Sequence, residues 1–197
     1  MKPDVSGRSC RASDTTTPPY SRRVAGGVYA TRTVPRDRPE VAALRAANEK
    51  LLTSFRLGRG ASHTEFMVAH ADGLPYFIET SARVGGANTA EMVEAATGVN
   101  LWSEWAALEA HPDRPYRLPP VTERYGGVTV SLARQEWPDD PAFNDPEITY
   151  RLRQKHHIGL VVRAPTPERV EALLNDYMQR IARDFQAVLP PADKATT

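Results

Sequence analysis

Cysteine is nearly missing: Cys10 is the one thiol in 197 residues. A lone thiol excludes an internal disulfide and a cysteine-built zinc site, and at Cys10 it is a poor nucleophile candidate. Long apolar runs are missing too. No stretch approaches the roughly 18 residues of a membrane helix, and Met1-Lys2-Pro3 leads into Ser, Arg, Thr and Asp rather than an apolar signal core. Net charge is almost nil, with 25 basic residues against 24 acidic. That removes the general argument for a nucleic-acid or membrane-surface partner. The basic residues are mostly arginine, but they are scattered and form no phosphate-binding stripe. There is no G-x-S-x-G nucleophile elbow and no internal repeat. A reducing, cytoplasmic setting is the expectation, and the length suits one good core rather than a large multidomain enzyme.

Residues 1–23 are rich in Ser, Thr, Arg and Pro and read as a disordered leader. A strand is expected at Val28-Tyr29-Ala30-Thr31. Pro39 suits the first turn of a helix, along which Val41, Leu44, Asn48, Leu51, Leu52 and Phe55 recur at helical spacing. Residues 62–69 and 76–81 are β-rich and flank Asp72-Gly73, a hairpin signal. Asn88-Thr89-Ala90-Glu91 has the form of a capping box, and its helix stops at Gly98. Asn100 suits the cap of a second helix, Leu101 to Ala110. Val128, Val130 and Leu132 alternate as a strand; residues 135–147, with three prolines and five acids, read as a loop. Ile158 to Val162 is a buried strand. Thr166-Pro167 starts a last helix whose apolar face runs from Val170 through Leu173, Leu174, Tyr177, Ile181 and Phe185 to Val188. The class is α+β: an antiparallel sheet with helices on one side. The expected divisions are 24–111 as the part carrying the chemistry, 112–190 as a small C-terminal α+β subdomain, and 191–197 as a frayed tail.

Glu65 and Glu79 stand inside otherwise apolar strands, where a carboxylate needs a partner. With a three-residue loop, Ala71-Asp72-Gly73, Gly73 takes the left-handed position, His70 opposes Leu74, and Glu65 comes opposite Glu79 on one face. A two-residue Asp-Gly loop would instead put Glu79 on the other face. Two opposed carboxylates repel, and a cation resolves the repulsion. Oxygen ligands suit Mg²⁺, with Mn²⁺ as the alternative. Arg83, four residues past Glu79, suits a clamp for phosphate or carboxylate. Gly85-Gly86 lets the backbone approach a ligand closely ahead of a helix N-terminus. On spacing alone the alternative is that Glu65 and Glu79 are solvent-facing edge carboxylates with Arg83 as their salt-bridge partner.

The stretch His63-Thr64-Glu65-Phe66, then Asp72-Gly73, then Phe77 through Asn88 resembles the metal-binding end of the ATP-grasp enzymes. It is most similar to the carboxylate–amine ligases, such as the dipeptide-forming L-amino acid ligases, over roughly residues 24–110. The resemblance implies that Glu65 and Glu79 bind the Mg²⁺ ions that bridge ATP phosphates and that Arg83 is the catalytic arginine, stabilising an acyl-phosphate. Ser81 stands where an asparagine often completes the metal site. Asn88 matches a position near the reaction centre, its plainer role being a helix N-cap. His63, two residues before Glu65, would share its face. The implied partners are ATP, a small carboxylate and an amine, with no nucleic acid and no membrane.

In that family a lobe with a phosphate-contacting lysine and a Gly-rich loop precedes this region. Only 64 residues precede Glu65 here, and Lys2 and Lys50 are poor candidates. The chain therefore resembles the C-terminal half of a ligase, expected to be incomplete by itself: a fragment of a longer gene product or a subunit completed by a second chain. The competing reading is a non-catalytic interaction module or relic that keeps the fold. His156 and His157 fall on opposite faces of a strand and do not share a metal easily. Trp102 and Trp105 read as core, and the acidic loop (Asp139, Asp140, Asp145, Glu147) as solvated surface.

Overall fold

The computed structural model describes residues 27–69, 71–139 and 141–187. The expected leader, the frayed tail, His70, Asp140, Val188 and Cys10 lie outside these residues. Among the described residues six strands and four helices follow in the order β1 (Tyr29–Arg32), α1 (Pro39–Ser54), β2 (His63–Val68), β3 (Pro75–Ser81), α2 (Thr89–Thr97), α3 (Leu101–Ala110), β4 (Tyr125–Leu132), β5 (Ile148–Arg151), β6 (His157–Ala164) and α4 (Pro167–Asp184). Strands β1, β4, β6 and β5, in that order, form one sheet; β2 and β3 form a separate hairpin. Every pairing is antiparallel.

The α+β class with antiparallel strands is as expected. The helices, expected on one side, cover both. Consecutive residues of a strand face opposite ways, and Gly126 and Gly127 show the consequence. A Cβ on Gly126 would meet the Met92 carbonyl of α2 at 2.6 Å, whereas one on Gly127 would meet Val170 and Leu174 of α4 at 2.6 and 2.9 Å. On the α4 face, Val170, Leu173, Leu174, Tyr177 and Ile181 pack on Ile158, Leu160 and Val162. On the α2 face, Met92 packs on Val128 and Val161. Each fully buried side chain of this kind contributes about 1.5–3 kcal/mol of transfer free energy, most of it offset by ordering entropy.

Two caps form as the sequence indicates. Asn100 accepts from the Ser103 N–H and Thr166 from the Arg169 N–H. The 135–147 segment differs from expectation. Phe143 is 1% exposed and meets the Tyr177 ring edge to face at 5.0 Å, with the Arg180 guanidinium 3.9 Å from its centre. Asp145 accepts from the buried Tyr177 hydroxyl at 2.7 Å, and Glu147 pairs with Arg169 at 2.7 Å. Two of the acids taken for solvated surface therefore staple the loop onto α4, one aromatic plug holding it in the core. The strand that follows, β5, carries no clear apolar alternation and was not expected.

Among the described residues no helix is long and apolar enough to cross a membrane.

Gly126→Ala is expected to lower stability by about 1–3 kcal/mol, because a backbone carbonyl yields less readily than a side chain. The shift in urea midpoint at constant slope measures it.

Candidate functional site

The hairpin brings Glu65 opposite Glu79 and His63 opposite Ser81. Alternation puts all four on one face, while Thr64 and Thr80 on the other face hydrogen-bond each other at 2.8 Å. The carboxylates meet by a route other than the expected one. The turn is closed by Ala69 N–H to Leu74 O and by Gly73 N–H to Ala69 O, so four residues, not three, lie between the last paired positions. Gly73 is left-handed, with φ 69°, as its place in the turn requires. That register alone would set Glu65 against Ile78. A β-bulge between the pairs Phe66–Phe77 and Glu65–Glu79 adds one residue, Ile78, and restores the carboxylate pair.

No hydrogen bond or ion pair holds Glu65, Glu79 or the Ser81 hydroxyl among the described residues. The alternative of an Arg83 salt bridge is not what forms: the Arg83 Nη1 donates to the Val84 carbonyl at 2.9 Å. Two facing carboxylates with free oxygens and a hydroxyl beside them fit an oxygen-liganded Mg²⁺ that completes its shell with phosphates and water. No group of three His, Cys, Asp or Glu side chains gathers among the described residues.

The turn after β3 ties the hairpin to α2. Gly85 is closely enclosed by two side chains, which any Cβ there would force to shift. A Cβ there would lie 2.5 Å from the Thr89 hydroxyl and 2.8 Å from the His63 ring. Arg83 also approaches the turn at Gly86. Thr89 donates its hydroxyl to the Gly86 carbonyl at 2.7 Å. Asn88 does not form the expected capping box. It sits at φ 58°, left-handed, and makes no side-chain cap bond, since a capping side chain needs an extended backbone. Ala87 before it is left-handed as well, at φ 51°. Two successive non-glycine residues in that region store strain of about 1–3 kcal/mol each, and they leave the Asn88 amide free.

Beyond this turn opens a groove of about 460 Å³, lined by residues 85–88 together with Glu91, Trp102, Val130, Leu152, Gln154 and His157. Trp102, expected in the core, is 49% exposed and forms part of its wall. His157 begins β6 while His156 sits in a turn at φ 56°. The sequence signals for these groove residues were weak. They come from four separate elements, and only the packing of α2 and α3 beside β4 and β6 gathers them.

With the geometry in hand, comparison with solved structures is decisive for the fold. An L-amino acid ligase from Bacillus licheniformis superposes with TM-score 0.60 at 16% identity, over 83% of this chain and 44% of that one. A phosphoribosylglycinamide synthetase from Anaerococcus prevotii gives TM-score 0.55 at 14% identity, over 81% of this chain and 44% of that one. The described fold is that of the corresponding part of these two enzymes, both of the ATP-grasp fold. At such identities the likeness is one of fold, and this chain spans under half the length of either structure. No family profile matches the sequence, and no curated protein matches it. The resemblance to ATP-grasp enzymes carried by residues 63–88 thus agrees with a structural match that those residues alone do not make.

Two outcomes are expected here. Ala87→Gly removes about 1–2 kcal/mol of left-handed strain and adds about 0.5–1 kcal/mol of chain entropy cost. A net gain in stability of about 0.5–1 kcal/mol should appear on chemical denaturation. At the hairpin tip, the Leu74 N–H and then the Tyr76 hydroxyl hold the Asp72 carboxyl below its ordinary value of 3.8. A lowered native pKa gives a stabilisation present above the ordinary value and lost as pH falls through the native one. Acidification below about pH 4 should therefore loosen the tip, seen as movement of the Leu74 amide and Tyr76 ring resonances in NMR.

Proposed function

We propose that this chain is the metal- and phosphate-binding part of an ATP-dependent carboxylate–amine ligase that works through an acyl-phosphate. The observation that carries the reading is the opposed, unpartnered pair Glu65 and Glu79, placed beside Arg83 and a glycine turn in an ATP-grasp fold. Glu65, Glu79 and Ser81 would hold Mg²⁺, or Mn²⁺ in its place. Bound there, the metal supplies charge neutralisation to the phosphates of ATP.

In this reading a substrate carboxylate attacks the γ-phosphorus of ATP. A C–O–P linkage forms and the bond to ADP breaks. The amine then attacks the acyl carbon, loses its proton, and expels phosphate. Arg83 would meet the charge that develops on the transferred phosphoryl group and the acyl-phosphate. Its hydrogen bond to the Val84 carbonyl holds the guanidinium near the turn. Asn88, free of any capping duty, and His63, packed against Gly85, would contact the substrates or nucleotide. The chain's own part is positioning and charge stabilisation, as in phosphoryl transfer generally.

The adenine and the remaining phosphate contacts would come from a further lobe, on a second chain or on a longer gene product. The hairpin supports that assignment: Met67, Leu74, Tyr76, Phe77 and Ile78 are all about half exposed or more, a concentration of apolar surface characteristic of contact sites.

Calorimetric titration with ATP and Mg²⁺ tests the reading. Heat of binding that requires Mg²⁺ and falls at least tenfold in affinity with Glu79→Gln is the expected result. A folded chain that binds Mg²⁺–ATP equally well as wild type and as Glu79→Gln would overturn it and favour a non-catalytic module.

A further inference from the structure

The groove beside the 85–88 turn has a chemical character of its own. It offers one charged group, the Glu91 carboxylate, which has no hydrogen bond or ion pair among the described residues. No lysine or arginine lines it. The His157 Nδ1 lies 2.7 Å from the Lys155 carbonyl. A carbonyl only accepts, so Nδ1 carries a proton, and Nε2 is the ring atom left to accept a donor. Asn88 and Gln154 contribute amides, while Trp102, Val130 and Leu152 give an apolar wall. One anion, a second acceptor and an indole face complement a cationic donor on an apolar body. They do not complement a phosphate or a free carboxylate.

We infer that this groove holds the amine substrate, a primary ammonium carried on an apolar or aromatic body, with Glu91 and His157 receiving the ammonium and Trp102 the body. This deepens the ligase reading and rests on it. The groove begins at Gly85 and Gly86, the same turn approached by His63 and Arg83, so an amine seated there lies next to the place where the activated carboxylate would form. Glu91 belongs to the first turn of α2 and Trp102 to the first turn of α3. Both therefore sit on rigid elements, as selectivity residues do best. The titratable groups near His157 are Glu91 across the groove, His156 beside it, and Lys155, whose ammonium is engaged with Glu136 at 2.6 Å.

Saturation-transfer NMR on the full chain is the test, with phenethylamine as the probe and 2-phenylethanol as its uncharged counterpart. The expected result is that phenethylamine binds at least fivefold more tightly than the alcohol. Glu91→Gln should reduce that preference at least fivefold, and Trp102→Ala should weaken both probes. Glu49→Gln, on α1, controls for general charge and should change nothing. Equal binding of amine and alcohol, or an unchanged preference in Glu91→Gln, overturns the assignment. Far-UV circular dichroism and the fold-dependent methyl spectrum confirm that each variant is folded. The Mg²⁺–ATP titration is a separate readout. If it fails while the amine preference stands, the ligase reading falls and the groove remains an ammonium site. If the preference fails while Mg²⁺–ATP binds, the groove assignment alone falls.

Discussion

A two-stranded hairpin is not stable in water by itself, so the placement of Glu65 and Glu79 depends on the contact that anchors the hairpin's base. Beside the packing of the hairpin on α1, that contact is the close approach of the His63 ring to Gly85. It favours a residue without a side chain at the turn, and the Thr89 hydroxyl locks the same turn from the helix side. The left-handed pair Ala87 and Asn88 follows from how sharply the chain must then enter α2. The carboxylates, Arg83 and the groove are all hung from this junction. The larger sheet has its own version of the same device, since Gly126 and Gly127 admit one helix on each face.

The distribution of satisfied and unsatisfied polar groups separates support from site. Asp145, Glu147, Arg169 and Tyr177 bond one another and hold the 135–147 loop. Burial and the bond to Asp145 push the Tyr177 hydroxyl well above its ordinary range, which keeps it protonated and donating. Glu65, Glu79, Asn88 and Glu91 have no such partners among the described residues. Groups that stabilise the fold are paired within it; these four are not, and Glu79 is exposed.

Much of this arrangement was legible in the residue order, because it rests on local chemistry. Pro39 and Thr166 start helices, Asn100 caps one, Gly98 ends one, and the β-rich runs flank Asp72-Gly73 where the hairpin turns. What escaped was decided at longer range. Helices fell on both faces because two adjacent glycines face opposite ways, which periodicity in the helices does not reveal. Phe143 became a core plug because Tyr177, Phe185 and Arg180 surround it. Trp102 became a groove wall because α3 packs largely through Leu108. Asn88 reads as a cap in any linear scan, and only its backbone angle shows otherwise. The facing of Glu65 and Glu79 was anticipated, yet through the wrong loop, and the bulge at Ile78 made good the difference.

That bulge divides the hairpin into two ladders, one around the tip and one around the carboxylates, which share strands but not a register. It acts as a slip joint. In a continuous ladder, a tip longer or shorter by one residue would turn every side chain below it through the sheet and carry Glu79 to the far face. With a discontinuity between tip and base, such a change has a place to be absorbed. The outer end of the hairpin is thereby free to vary in length and shape, to suit whatever it touches, while the two oxygen-bearing side chains at its root keep facing each other.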